Sequence, residues 1–160
     1  MKLGPAVKRL HEAELALADQ FRVIGERHPL EHDVYHQAHT FAKQCREHAE
    51  QLEPIADRYG KDVETDEDDE GGVFDSLRRT AGAVLGRRPE SGMLLLRDLR
   101  TLYLAAQETL ISWVIVRQGA MAAKDQQLVN LAKKCQPETD LQMKWVLTRI
   151  KTAAPQVLMS

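Results

Sequence analysis

Four long stretches of this sequence repeat their apolar residues in steps of three and four, which is the spacing of one face of an α-helix. They cover residues 5–28, 31–59, 92–122 and 125–152. As helices they would each be about 35–45 Å long, so their lengths match. Glycine and proline number only nine and six, and aromatic residues make up 5%, which argues against a β-sandwich or barrel. The sequence therefore predicts an all-α fold.

The connections between these stretches predict how the helices are arranged. About two residues join the first stretch to the second, and the third to the fourth, so each pair should form an antiparallel hairpin. Residues 61–91 are long enough to return the chain along the bundle, so that the third helix starts at the opposite end. This crossover contains an acidic run, 62–70, and an amphipathic stretch, 73–86, that predicts a short helix. We expect one domain spanning residues 1–160.

The third and fourth stretches allow finer predictions. Ser91 and Asp125 are residue types that cap helix N-termini. Pro137 falls in the middle of the fourth stretch, where proline removes a backbone hydrogen bond, so a bend or a split of this helix is expected. The third stretch is apolar on nearly every side between residues 102 and 116, which predicts the most buried helix. In so small a bundle this apolar surface also predicts a homodimer.

Charge and composition argue against several classes of protein. The formal net charge of −2 gives no indication of nucleic-acid binding. The first twenty residues lack the apolar run of a secretory signal, and the weakly charged stretch 101–116 is shorter than a membrane span. Cys45 and Cys135 lie in apolar helical stripes, which is typical of reduced cysteines; a redox role is the weaker alternative. We expect a cytoplasmic protein without nucleic-acid or membrane partners.

Three carboxylates and one imidazole interrupt the apolar stripes, one on each helix: Glu14, His48, Glu108 and Glu138. Residues at equal distances from the turn of an antiparallel hairpin lie at the same height, which places Glu14 beside His48. In the second hairpin, Glu108 and Glu138 are also at nearly equal distances from the turn and should lie side by side. A carboxylate in an apolar stripe is costly unless it is hydrogen-bonded, neutralised or bound to a metal. The pattern predicts a divalent metal site, with a buried hydrogen-bonded network as an equal alternative.

Two further sets of residues are weaker candidates. His11 lies one turn before Glu14, and Glu47 precedes His48 but points about 100° away, so both are less favoured ligands. Four histidines also cluster around the first turn. His28 precedes the turn, and His32, His36 and His39 share one face of the second helix. Their spacing is suitable for zinc or another transition metal. This face is offset from the apolar stripe of the second helix, which favours a solvated polar surface instead.

These residues resemble the ligand pattern of the ferritin-like superfamily, the di-iron carboxylate four-helix bundles. That family carries a Glu on helices one and three and Glu-x-x-His on helices two and four. Glu14 and Glu108 stand at the single-Glu positions. The two longer motifs read CREH at 45–48 and ETDL at 138–141, so each keeps one of its two ligands. The resemblance implies a ferritin-like bundle with an incomplete ligand set, and hence a single-metal, altered or vestigial site.

The resemblance favours one function, and an interaction module is the alternative. The first is a cytoplasmic metal-binding protein that acts on ferrous iron or peroxide in stress protection, with iron the favoured metal and manganese or zinc the others. The second is a non-catalytic helical dimerisation or interaction module that has kept the bundle and a vestigial metal site. The fold alone does not choose between them.

Overall fold

The computed structural model describes residues 1–60 and 90–160, and these residues form four α-helices. The helices are α1 (Leu3–Arg27), α2 (His32–Gly60), α3 (Ser91–Ala122) and α4 (Gln126–Leu158). The described residues contain no strand, so the prediction of an all-α four-helix bundle is confirmed. The predicted acidic run and the predicted short helix at 73–86 lie outside these residues. In the same part of the chain, no helix is apolar enough over a sufficient length to cross a membrane.

The helix ends agree with the predicted ones to within one or two residues, except at the end of α4. Asp125 caps α4 as predicted, because its Oδ1 atom accepts a hydrogen bond from the Leu128 N–H at 3.1 Å. Ser91 is not the cap of α3. It is already the first helical residue, and the preceding Glu90 has an extended conformation and makes no side-chain capping bond.

The fourth helix is continuous through both of its prolines, so the predicted split at Pro137 is wrong. Pro137 is exposed, and the backbone groups that a proline leaves unpaired can be hydrated on an exposed helix face. The helix also ends at Leu158, six residues later than expected. Burial of Ala153 against the core explains this extension, because packing stabilises the last turns.

Contacts between the helices define their order around the bundle. The first helix packs against α2 and α3, and α4 packs against the same two helices. His28, directly after α1, bonds to Asp98 near the start of α3. Arg58, near the end of α2, bonds to Asp125 at the start of α4. Each pair of neighbouring helices is therefore antiparallel. The two helices α2 and α3 consequently run in the same direction.

Apolar side chains from all four helices form two clusters, one toward each end of the bundle. In one cluster the rings of Phe21 and Phe41 lie 5.4 Å apart, and in the other Leu52 is fully buried. Burying a side chain of this size stabilises the folded state by about 1.5–3 kcal/mol. The polar side chains of Glu14 and His48 lie on helix segments between the two clusters, so the middle of the bundle is its polar layer.

The third helix is not the most buried one, contrary to the prediction. It buries ten of its 32 residues, whereas α1 buries eleven of 25. Leu104, Ile111 and Ile115 on its outer side are 42%, 51% and 58% exposed. An apolar pattern on all sides of a helix therefore reflects two different surfaces here, one packed in the core and one open to solvent.

Candidate functional site

A chain of hydrogen bonds crosses the middle of the bundle through the ring of His48. Its Nδ1 atom lies 3.0 Å from Glu14 Oε1, and its Nε2 atom lies 2.7 Å from Glu138 Oε2. Glu14 and His48 are buried, whereas the Glu138 side chain is 30% exposed. Trp113 Nε1–H donates to the same Glu14 oxygen at 2.6 Å. Each helix thus contributes one polar side chain, and we call Glu14, His48 and Glu138 the Glu–His–Glu network.

The imidazole of His48 is protonated at neutral pH. Both ring nitrogens face carboxylate oxygens, and an ionised carboxylate only accepts hydrogen bonds, so both nitrogens carry a hydrogen. Burial by itself lowers the pKa of His48. The neighbouring Cys135 and the Glu14 carboxylate outweigh burial and raise the pKa to about 11. The ring therefore supplies a positive charge between two carboxylates.

The two oxygens of Glu14 have different environments. Oε1 accepts hydrogen bonds from His48 Nδ1–H and Trp113 Nε1–H. Oε2 is buried and has no hydrogen-bond partner among residues 1–60 and 90–160. The Cys45 thiol is nearby: burial raises the pKa of Cys45 well above its usual value, and the Glu14 carboxylate raises it further. A neutral thiol and not a thiolate therefore accompanies Glu14. An unpaired buried oxygen costs about 1–3 kcal/mol, which makes this atom the one unsatisfied feature of the network.

Glu108 stands apart from the other three predicted ligands. Within the described residues, no hydrogen bond joins it to the Glu–His–Glu network, and its buried Oε2 atom has no hydrogen-bond partner. Burial raises the pKa of Glu108, and the charge of Arg9 opposes that shift. The residue shares the outer side of α3 with the exposed Leu104 and Ile111. The turn of a hairpin specifies the height of a residue along the helix, but not the face it occupies.

In its present arrangement the Glu–His–Glu network is a chain of hydrogen bonds and is not grouped around one ion position. In the part of the chain that the structure describes, no three His, Cys, Asp or Glu side chains are grouped so as to hold an ion. Glu14 and Glu138 contact opposite nitrogens of one ring, so a shared ion would have to displace that ring. Binding of an ion by His48 would also release a proton, because a metal-bound histidine uses an unprotonated nitrogen. Only the unpartnered Glu14 Oε2 atom favours a cation.

The weaker candidates lie outside this network. Glu47 is exposed and His11 is half-buried, and neither is hydrogen-bonded to the network among the described residues. In the histidine group of the first turn, His32 and His36 are exposed. His39 Nδ1–H donates to a backbone carbonyl one turn earlier at 2.7 Å. The positions of His32 and His36 agree with a solvated polar face, whereas His28 is buried.

Asp98 is a buried carboxylate that the sequence prediction omits. Its Oδ2 atom lies 2.7 Å from His28 Nε2 and 3.3 Å from Arg27 Nε, so it ties the end of α1 to the start of α3. Asp98 lies among buried leucines on the core side of α3. A carboxylate within an apolar stripe is the signal that identified Glu14, and the same signal identifies Asp98.

Trp113 is the other residue of this site that the prediction omits. Its position within the apolar stripe of α3 predicts burial, and a buried tryptophan N–H needs an acceptor. Finding that acceptor requires the lateral order of the helices, because Glu14 and Trp113 lie on different hairpins. Hairpin register alone cannot supply this information.

Comparisons of this chain with family models, with curated proteins and with solved structures give no match. The fold and the site together define the class: a four-helix bundle whose middle is crossed by a buried Glu–His–Glu network. Membership of the ferritin-like superfamily stays a prediction from the sequence.

Proposed function

We propose that this protein is a non-catalytic helical association module that forms a homodimer through the outer side of α3. The observation that carries this proposal is the exposure of three large apolar residues, Leu104, Ile111 and Ile115, along one side of that helix. Exposed apolar residues in a row mark interaction sites more often than isolated ones do. Association of two such faces removes this apolar surface from water, which is the main driving force for helix pairing.

A second copy of the chain is the partner that best fits the outer side of α3. It carries charges of both signs, with Glu108 on one side of Leu104 and Arg97 and Arg100 on the other. A face with both charges can meet its own copy without like-charge repulsion. Twofold self-association is also the commonest form of oligomer, because each contact is made twice.

In this proposal the Glu–His–Glu network is part of the structural core. Removing the His48 charge would leave both carboxylates without their positive partner, so the network holds the helices at one relative height. It thereby keeps α3 in a single position for association. We place the protein in the cytoplasm, because Cys45 and Cys135 are both free and buried.

Leu104→Glu is expected to raise the dissociation constant of the dimer at least about tenfold, because each copy loses an apolar side chain from the interface and gains a charge. Sedimentation velocity over a series of protein concentrations measures this change. The matched control is Leu141→Glu, which alters a residue of α4 that is 64% exposed, and which should leave the dimer unchanged. Wild-type protein that stays monomeric at every concentration contradicts the proposal, as does equal behaviour of the two variants.

Metal binding is the second candidate function, favoured by the unpartnered and buried Glu14 Oε2 atom. In this alternative the chain is a ferritin-like protein that binds iron, manganese or zinc and acts on ferrous iron or peroxide. Glu14, His48 and Glu138 are the ligands that lie together, and Glu108 is the predicted fourth ligand. His48 would have to give up at least one of its two hydrogen bonds before it could bind an ion.

Metal analysis after anaerobic loading with ferrous iron, manganese or zinc distinguishes the two functions. A metal-binding protein is expected to retain about one ion per chain and to lose it in Glu14→Gln, because Glu14 is its most buried ligand. Glu47→Gln is the matched control, since Glu47 is exposed beside His48. The association module binds no ion and still forms a dimer. Loss of the ion in His36→Ala, with retention in Glu14→Gln, would place it at the first turn instead.

A further inference from the structure

We infer that the two copies pack antiparallel along α3, with the twofold axis at Leu104 and with Glu108 of each chain paired to Arg100 of the other. The inference rests on the proposed association and specifies its geometry. It identifies the residue pair that selects a copy of this chain over other apolar helices.

The outer side of α3 presents one row of seven residues in steps of three and four. We call this row the α3 stripe, and its members are Met93, Arg97, Arg100, Leu104, Glu108, Ile111 and Ile115. Steps of three and four keep side chains on one face of a helix. All seven are exposed or half-buried, so the row is open along about six turns.

The spacing of the α3 stripe is the same in both directions from Leu104. Its members stand four, seven and eleven positions before Leu104, and four, seven and eleven positions after it. In an antiparallel pair with the axis at Leu104, each residue before the axis faces the residue equally far after it. Arg100 then meets Glu108 of the partner, and Met93 meets Ile115. Both pairs occur twice in the dimer.

The third pair in this arrangement joins Arg97 of one copy to Ile111 of the other. The aliphatic part of an arginine side chain can cover an apolar neighbour while its guanidinium group stays in water. In one chain, Arg97 lies 3.9 Å from Asp98 of its own helix, which holds the charged end close to its own backbone. The contact with Ile111 therefore adds apolar burial and leaves no unpaired charge.

Glu108 and Arg100 are both available for an intermolecular pair. Arg100 is exposed and has no ion pair within residues 1–60 and 90–160. Glu108 is half-buried, and the charge of Arg9 on α1 already acts on its carboxylate. Arg100 of the second copy would therefore add a second positive charge to the first.

Other registers pair the charges less well. If Leu104 faced Ile115 of the second copy, Glu108 would face Ile111, and the two Glu108 carboxylates would lie only about 4.5 Å apart along the axis. A parallel pair would place Glu108 beside Glu108 and Arg100 beside Arg100. Like charges placed opposite each other are strongly disfavoured at an interface. Charge pairing therefore selects the antiparallel register centred on Leu104.

A charge exchange tests the proposed pair. Glu108→Arg and Arg100→Glu are each expected to raise the dissociation constant about tenfold, because each creates two like-charge contacts. An equimolar mixture of the two variants should recover the wild-type constant, since every glutamate in the mixed dimer then faces an arginine. Arg97→Glu is the matched control and should have a smaller effect, because its position faces Ile111. Sedimentation velocity provides the measurement.

Cross-linking tests the position of the axis. Leu104→Cys should form a covalent dimer with oxidised glutathione, in which two protein thiols are oxidised to a disulfide and glutathione disulfide is reduced. Ile111→Cys should not, because its two copies would lie about 21 Å apart along the axis, far beyond disulfide reach. The native Cys45 and Cys135 are fully buried and contribute little background.

The two proposals fail in different ways. Wild-type protein that is monomeric at all concentrations overturns the association and the register together. A dimer that Leu104→Glu disrupts, but in which Ile111→Cys cross-links and Leu104→Cys does not, overturns the register alone. A mixture of Glu108→Arg and Arg100→Glu that stays as weak as either variant also overturns the register, because the expected charge pairs would then be absent.

Discussion

Replacement of His48 by leucine is expected to lower the free energy of unfolding by about 3–5 kcal/mol at pH 7. Leucine removes the imidazolium and leaves Glu14 fully buried, with only the Trp113 N–H as a hydrogen-bond donor. Glu138 is partly exposed and can be solvated by water, so most of the loss comes from Glu14. Urea unfolding followed by circular dichroism measures the change, with the midpoint and the slope analysed separately.

A double replacement provides the control for this prediction. Glu14→Leu combined with His48→Leu removes the buried charge together with its partner, and should recover most of the lost stability. It also keeps the prediction testable if the single variant does not fold. A loss below about 1 kcal/mol in His48→Leu would mean that Glu14 is neutral in the folded protein. The description of His48 as a charged link between two carboxylates would then be wrong.

The pairing of Glu14 with His48 could be predicted from the sequence, because only a few residues separate α1 from α2. A short turn leaves little freedom in the relative height of the two helices, and each polar residue interrupts a well-defined apolar stripe. The helix bounds follow from the same stripes. The end of α4 is the exception: its length depends on burial of Ala153 by other helices, which local pattern does not reveal.

The positions of Glu108 and Trp113 could not be predicted in the same way. The third helix is apolar on all sides between residues 102 and 116, so its sequence does not indicate which side faces the core. Glu108 could therefore be given a height but not a face. The bond from Trp113 to Glu14 joins two hairpins, and their lateral packing depends on contacts between residues far apart in sequence. Sequence periodicity describes single helices better than it describes their neighbours.

Alkaline pH is expected to destabilise the protein by several kcal/mol through His48. The pKa of this residue is about 11 in the folded protein, compared with 6.5 for an ordinary histidine. The folded protein therefore keeps a proton that the unfolded chain releases above pH 6.5. The stabilisation is complete below pH 6.5, declines as the pH rises, and is lost above about pH 11. The expected slope corresponds to one proton, or about 1.4 kcal/mol per pH unit between pH 7.5 and 10.

Only below about pH 9 does the change in the free energy of unfolding with pH come from His48 alone. Burial also raises the pKa of Cys45 and of Tyr59, so the unfolded chain releases their protons first, and stability falls further above about pH 9. The measurement is therefore the free energy of unfolding between pH 6 and 8.5. Over this range wild-type protein should lose about 2.5 kcal/mol more than the variant in which Glu14 and His48 are both leucine. Cys45→Ala, the matched control, should follow the wild type below pH 9.

Parallel curves for the wild type and the double variant would contradict a charged His48. A neutral imidazole has one donor nitrogen and one acceptor nitrogen. It could contact both Glu14 and Glu138 at hydrogen-bond distance only if one carboxylate were protonated. Either arrangement keeps one proton that the unfolded chain releases, so the slope counts the proton held by the Glu–His–Glu network as a whole. Parallel curves would mean that the folded network holds no such proton, and at least one of the two His48 contacts would then not be a hydrogen bond.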